Sequence, residues 1–369
     1  MATQNPLLKL EEFGQSIWLD FLGRSLVRSG QLRNLIEDDG LSGITSNPTI
    51  FQKAIGQSGA YDSDIHRLRK EGRSAVEIYE TLAVGDIQEA ADTLRPVHDE
   101  THGADGFVSL EVSPKLAHDA EKTVEEVKRL WGAVARKNVM IKIPATSEGL
   151  QAIAGCTAEG INVNVTLLFG LDRYRQVADA YISGLEERVK RGGNLAPIHS
   201  VASFFLSRID VLLDPILKGR NGGEGIRGEV AIASAKLAYE VYQQVFGGDQ
   251  FRNLERNGAH RQWLLWGSTS TKSKEYSDVK YVEALIGPET VNTLPLETLE
   301  AYRDHGSPAR RLDSDLGAAH STMAKLLDLG VDLNAATRQL EAEGVERFSK
   351  SLDELLRGID QKAGSLMAA

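Results

Sequence analysis

The sequence predicts a (β/α)8 barrel, and three observations lead there. Eight short apolar runs are spaced along the chain, each followed by sequence of helical character. No stretch rich in proline, glycine and serine divides the 369 residues into two domains. No G-x-G-x-x-G or G-x-x-x-x-G-K-[ST] follows any of the runs, which leaves the open doubly wound sheet, the second choice, without the nucleotide sites that usually accompany it. The chain exceeds the roughly 250 residues typical of such a barrel. The expected organisation is one barrel domain over residues 1–369, of which about 308–366 is a helical C-terminal extension packed on the barrel.

Taken in order, Ser16 to Asp20 (SIWLD) is the first run and ends in an acid. Gly23 to Asp38 places Leu26, Leu32 and Ile36 among arginines at helical spacing. Gly40 to Pro48 (GLSGITSNP) is a second strand with a polar end, stopped by Asn47 and Pro48. Thr49 to Glu100 is charged, helix-prone and too long for one helix. Phe107 to Val112 (FVSLEV) is a third strand, with Glu111 near its C-terminal end, and Ala117 to Lys137 a helix with Val124, Val127 and Leu130 on one face. Val139 to Pro144 (VMIKIP) is the fourth strand, and Ser147 to Glu159 a helix with Glu148 in its first turn. In the fifth, Ile161 to Phe169 (INVNVTLLF), alternation puts Asn162, Asn164, Thr166 and Leu168 on one face and Ile161, Val163, Val165 and Leu167 on the other. Such a polar face either lines a site or marks an exposed edge.

Leu171 to Arg191 reads as helix. Ile198 to Phe205 (IHSVASFF) is the sixth strand, with Ser203 near its end and Arg208 close behind. Ile216 to Gly228, rich in glycine and charge, reads as a surface loop, and Glu229 to Phe246 as a long amphipathic helix. Gln262 to Ser268 (QWLLWGS) is the seventh strand and opens into a serine and threonine run with Lys272. Thr290 to Leu294 is the eighth. From Pro308 to near Leu366 the pattern is helical, punctuated by Gly330 and Gly344.

Composition excludes several function classes. Charged residues make up 25% and hydrophobic ones 41%, an ordinary globular balance. The net charge of -10 argues against nucleic-acid and anionic-membrane surfaces, and obliges any anionic substrate to be held by a few local cations. The single cysteine, Cys156, excludes an intramolecular disulfide and a cysteine-based zinc site, and reads as core packing in a reducing compartment. The eight histidines show no ligand spacing such as H-E-x-x-H, so no metal and no cofactor is expected. No export signal is visible, and no apolar run approaches the roughly 20 residues that span a bilayer. A cytoplasmic protein follows as the expectation.

One residue breaks its pattern. Lys142 interrupts the fourth strand, and a desolvated ammonium without partners costs several kcal/mol. Either it lies near the strand end and snorkels to water or meets a carboxylate, or it is a neutral amine kept as a nucleophile for a carbonyl carbon, since burial lowers a lysine pKa. The barrel decides between these readings, because active sites in this fold sit at the C-terminal ends of the strands. Asp20, Asn47, Glu111, Lys142, Asn164 with Thr166, Ser203 with Arg208, and Lys272 fall at or just past seven successive strand ends. Singly each has a plain account: Asp20 and Asn47 as helix caps, Arg208 paired with a surface acid, Lys272 solvated. Together, one lysine, two carboxylates, amides and two cations make a site for a phosphorylated carbonyl compound. The lysine would form an iminium that serves as an electron sink for breaking the neighbouring C–C bond, a carboxylate would move protons, and the cations would anchor phosphate.

The stretches GITSNPTIF (43–51), VSLEVSPKLAHD (108–119), VMIKIPAT (139–146), INVNVTLLF (161–169) and VASFFLSRID (201–210), in this order, resemble transaldolases of the pentose phosphate pathway. The length and GSTSTKSKEYSDVKYV (267–282) are similar to the longer bacterial form. The resemblance implies a barrel of the class I aldolase type. It also implies transfer of a dihydroxyacetone unit from sedoheptulose 7-phosphate to glyceraldehyde 3-phosphate, giving erythrose 4-phosphate and fructose 6-phosphate. By the same resemblance Lys142 is the Schiff-base lysine and Glu111 the acid that works through a water held with Thr166. Asp20 takes the proton as the C–C bond breaks, and Asn47 and Asn164 hold the dihydroxyacetone portion. Ser203 and Arg208 bind phosphate, with Phe205 lining the substrate site. Many members place an arginine after the seventh strand, where this chain has Lys272 and then Lys274.

Two other readings stand beside this one. A fructose 6-phosphate aldolase resembles the same fold and lysine but releases the three-carbon unit; those relatives are shorter, with an amide in place of Glu111 and a tyrosine in place of Phe205, so both positions favour transfer. A barrel that merely binds a sugar phosphate has no use for an amine among apolar residues. The expected partners are sugar-phosphate substrates, with no nucleic acid and no membrane. The helical tail either closes over the barrel mouth or forms a subunit contact, which leaves monomer and homodimer both open.

Overall fold

The computed structural model describes residues 5–368. A short helix α1 (Leu8–Glu12) leads into β1 (Gln15–Leu19), followed by α2 (Arg24–Arg28), α3 (Gln31–Asp39) and β2 (Leu41–Ile44). The helix expected over Gly23 to Asp38 is thus two, divided at Gly30, whose φ of 83° lies in the left-handed region that ends helices. The helix-prone stretch after β2 resolves into α4 (Pro48–Gln57), α5 (Asp62–Lys70) and α6 (Ala75–Glu100). Strands and helices then alternate: β3 (Phe107–Glu111), α7 (Ala120–Val134), β4 (Val139–Pro144), α8 (Ser147–Glu159), β5 (Val163–Leu168), α9 (Leu171–Lys190), β6 (Ser200–Phe205) and α10 (Ser207–Lys218). After α10 come α11 (Val230–Phe246), α12 (Asp249–Glu255), β7 (Trp263–Gly267), α13 (Lys280–Ala284), β8 (Thr290–Leu294), α14 (Leu296–His305), α15 (Leu316–Asp328) and α16 (Leu333–Ala368).

All eight strands are parallel, each paired with its neighbour in sequence, and β1 pairs with β8 to close the barrel. At the seam the buried Gln15 amide donates to the Leu285 carbonyl and to Thr290 Oγ1, at 2.7 and 2.9 Å. The interior follows from the period of two. Trp18, Phe107, Met140, Val201, Leu265 and Val291 meet as an apolar plug in the N-terminal half of the barrel. Two residues further along those strands lie Asp20, Ser109, Lys142, Ser203, Gly267 and Thr293, so the layer above the plug is polar. The plug also explains Gly43 on β2: a Cβ there would lie 2.4 Å from the Trp18 ring, so only glycine lets the indole fill the barrel.

The structure departs from the sequence reading in four further places. Ile216 to Lys218 belong to α10, which carries Pro215 within it, and only the residues beyond form the connection expected from Ile216. Residues 306–315 separate α14 from α15, and Gly344 lies inside α16 without interrupting it. Regular alternation in β5 stops after Thr166, because the pairing with β6 shifts between Val165 and Leu168 and Leu167 takes φ +55°. Among the described residues no helix is long and apolar enough to cross a membrane.

Candidate active site

Lys142 sits inside the barrel, four residues into β4, with its side chain 3% exposed. Register places Glu111 of β3 beside it on one side and Asn164 of β5 on the other. Its Nζ donates to the Ser46 carbonyl at 3.2 Å and lies 3.5 Å from Glu111 Oε2. The second contact is an ion pair whose geometry falls short of a hydrogen bond, so both Glu111 oxygens are buried without a hydrogen-bond partner in the protein. Burial pushes the Glu111 carboxyl up to about 7, against the opposing pull of Lys142. Thr166 Oγ1 is also buried and unpartnered. Orphaned polar atoms cost free energy, and here two belong to the carboxylate beside the amine and the third to the neighbouring strand β5.

Asp20, one residue beyond β1, is half-buried, and its Oδ1 accepts from Thr45 Oγ1 at 2.7 Å. Thr45 lies 2.8 Å from Thr293 Oγ1. With its proton committed to Asp20, Thr45 accepts from Thr293, and the relay fixes the carboxylate in one orientation. Asn47 follows β2 and does cap a helix: its Oδ1 accepts from the Ile50 amide at 3.0 Å, at the start of α4. That use leaves its amide nitrogen free toward the cavity. Asn164 lies mid-strand, not at the strand end, where it donates to Ser109 Oγ at 2.9 Å and accepts from Ser203 Oγ at 2.7 Å. Ser203 is therefore committed to the barrel interior through its hydroxyl proton.

Above these residues opens a cavity of about 870 Å³ at the C-terminal end of the strands. Asp20, Asn47, Lys142, Ser203, Phe205, Arg208 and Lys272 line it. Glu111 and Asn164 flank Lys142 in the barrel wall, and Thr166 lies two residues further along β5, opposite Pro144. Arg208, at the second position of α10, stacks over the Phe205 ring with 5.4 Å between guanidinium carbon and ring centre. Burial, then repulsion from Arg347, pull its pKa down to about 10. Lys272 donates to Ser270 Oγ from the loop after β7. A smaller hollow of about 310 Å³ at the opposite end, lined by Asp105, His199 and His260, lies across the apolar plug from Lys142.

Sequence reasoning missed Thr45, Thr293, Ser270, Lys53, Arg347 and Phe348, all of which line the cavity. Thr45 was within reach, because it stands in the polar end of the second strand. Arg347 and Phe348 are carried in by α16 from the far end of the chain, and a charged residue beside an apolar one on an amphipathic helix gives no local signal.

Over residues 17–359 the chain matches the family described as Transaldolase/Fructose-6-phosphate aldolase. Among similar proteins, the transaldolase of Trichodesmium erythraeum is 44% identical, with 98% of each chain covered. The transaldolase of Thiobacillus denitrificans is 46% identical over 95% of this chain and 98% of its own. That of Saccharopolyspora erythraea is 46% identical over 98% and 99%.

Proposed function

The chain belongs to the transaldolase/fructose-6-phosphate aldolase family and is a transaldolase, and we propose that it moves a dihydroxyacetone unit from sedoheptulose 7-phosphate to glyceraldehyde 3-phosphate through a Schiff base on Lys142. The observation that carries this reading is one buried amine, 3.5 Å from a buried carboxylate, at the floor of a cavity whose mouth holds free cations. In the proposed sequence the amine adds to the ketose carbonyl carbon, and the carbinolamine loses water to leave an iminium. Glu111, with a carboxyl near neutrality, accepts and returns the protons of these steps through a water held with Thr166.

The iminium draws electrons as the bond between the third and fourth carbons breaks, and Asp20 takes the proton from the hydroxyl of the fourth carbon. Erythrose 4-phosphate leaves. The enamine left on Lys142 attacks the aldehyde carbon of glyceraldehyde 3-phosphate, Asp20 returns its proton to the new hydroxyl, and hydrolysis frees fructose 6-phosphate. Asn47 and Asn164 hold the three-carbon unit, Phe205 walls the chain of hydroxyls, and Arg208 and Lys272 serve the phosphate end, while Ser203, expected there from the sequence, donates its hydroxyl proton to Asn164 and positions that amide. A place in the pentose phosphate pathway belongs to the same proposal, as does a cytoplasmic location, which suits the free, buried Cys156.

Borohydride reduction in the presence of fructose 6-phosphate tests the reading, with the adduct located by mass spectrometry. The expected adduct is on Lys142, and Lys142→Arg, whose guanidinium stays protonated, should neither form it nor turn over. Adduct on another side chain, or turnover by the arginine variant, rejects the mechanism. Free dihydroxyacetone as the main product would favour cleavage over transfer.

A further inference from the structure

We propose that Arg347 on the C-terminal helix α16 is a substrate-length-determining residue, forming with Arg208 a two-guanidinium seat for the phosphate of the ketose donor. The inference rests on the reading of Lys142 as the covalent site and adds the element that measures the far end of the sugar. The first observation is what these cations lack. Three acids of α16 are engaged elsewhere, Glu341 with Arg173, Asp353 with Lys115 and Asp360 with Arg69, while Glu343 lines the cavity and accepts from the Gln339 amide. Arg208, Arg347 and Lys53 line the cavity with no salt bridge among the described residues, and Lys272 reaches only the Ser270 hydroxyl. Asp20, Glu297 and Glu343 line the same cavity but form no ion pair with these cations among the described residues, so the cations' mutual repulsion is only partly offset and a dianion relieves the rest.

The second observation is how the pair is held. Arg208 lies between two aromatic rings, Phe205 of β6 at 5.4 Å and Phe348 of α16 at 5.9 Å. Phe348 is 2% exposed and belongs to the main core, so it fixes the rotation of α16 about its axis and sets its neighbour Arg347 at the rim. The two guanidinium groups are close enough for Arg347 to be the leading charge that lowers the Arg208 pKa. The plain alternative is a surface pair between Arg347 and Glu343, one turn earlier on the same helix; among the described residues that pair is not made, and the Glu343 carboxylate accepts from the Gln339 amide at 2.7 Å instead.

Depth gives the two arginines different tasks. Arg208 is half-buried near the end of β6, while Arg347 is exposed at the mouth. With the carbonyl carbon fixed on Lys142, the phosphate of a seven-carbon ketose lies one carbon further out than that of a six-carbon ketose. Arg347 is placed for the longer sugar.

Arg347→Ala and Arg347→Lys test this in the full-length enzyme. The alanine variant should raise KM for sedoheptulose 7-phosphate about tenfold, from the loss of a charged hydrogen-bonding partner. KM for fructose 6-phosphate should rise less, kcat should hold, and lysine should restore part of the affinity. Borohydride trapping with unphosphorylated dihydroxyacetone should be unchanged, a readout that a merely structural role would not spare. Unchanged KM values, equal rises for both donors, or loss of the dihydroxyacetone adduct would each overturn the proposal. Calorimetry with inorganic phosphate keeps the test separate from the chemistry: binding should weaken in the alanine variant even if the wild type forms no adduct, an outcome that would count against Lys142 alone.

Discussion

Glu111 combines full burial, a raised carboxyl and two oxygens without hydrogen-bond partners, and each property bears on its work. Desolvation favours the neutral acid, the nearby ammonium favours the carboxylate, and the balance falls close to neutrality, where proton transfer in both directions is easiest. Glu111→Gln should therefore slow turnover by about 100-fold or more. It should also flatten the acid limb of the pH profile, which in the wild type rises with a midpoint near the raised value of about 7. A near-normal rate, or an unchanged acid limb, would remove Glu111 from proton transfer. On stability the sign is opposite. The folded carboxyl keeps its proton up to about 7 while the unfolded one releases it near 4.5, so this group's contribution falls as pH rises through that window. Arg208→Ala, by contrast, should raise KM for phosphorylated sugars well above its effect on dephosphorylated analogues; equal losses would mean that it does not meet phosphate. Lys142 was legible because a charge inside a strand buried on both faces needs either a partner or a chemical task, and the polar residues at the neighbouring strand ends pointed to the task. The Thr45–Thr293 relay was not, because it exists only once β1, β2 and β8 close together.

At the scale of elements, α16 makes a barrel into this particular site. It crosses the end of β5 so closely that a Cβ on Gly344 would lie 2.8 Å from Leu167 Cδ2, at the point where Leu167 adopts a left-handed backbone. A larger residue there has to push either a strained strand end or the helix. Gly344→Val should cost about 1–3 kcal/mol from overpacking, seen as a lower urea midpoint. It should also raise KM for phosphorylated donors, because a shifted α16 carries Phe348 away from Arg208. Loss of stability with KM unchanged would show that the helix does not hold that wall of the cavity. The sequence marked Gly344 as punctuation for a reason that holds in most helices, glycine being a poor helix former. Here it is retained inside the helix by a close crossing, a requirement that comes from β5, far away in the chain.

For the whole molecule, the strands were legible because a parallel barrel buries both faces of each strand, so each reads as a bounded apolar run. Of the layer two residues past the plug, Asp20, Lys142 and Ser203 were legible as polar residues near strand ends, whereas Ser109 and Thr293 were not. Of the rim, Arg208 and Lys272 were legible just past their strands, but Lys53 and Arg347 look like solvated faces until the helices are placed. The complete fold also decides how substrate charge is handled. A net charge of -10 repels sugar phosphates at long range, while the cations at the mouth attract them at contact. Screening separates the two, because the Debye length is about 10 Å at 0.1 M salt. Acids further than this from the mouth are already screened at that concentration, whereas the cavity cations, with Asp20, Glu297 and Glu343 beside them, act within it. Raising salt from about 0.1 to 0.5 M should therefore lower kcat/KM for phosphorylated donors several-fold and leave unphosphorylated ones nearly unchanged. If kcat/KM rose instead, the global charge would dominate the approach of substrate, and the cations at the mouth would have to act only after it is bound.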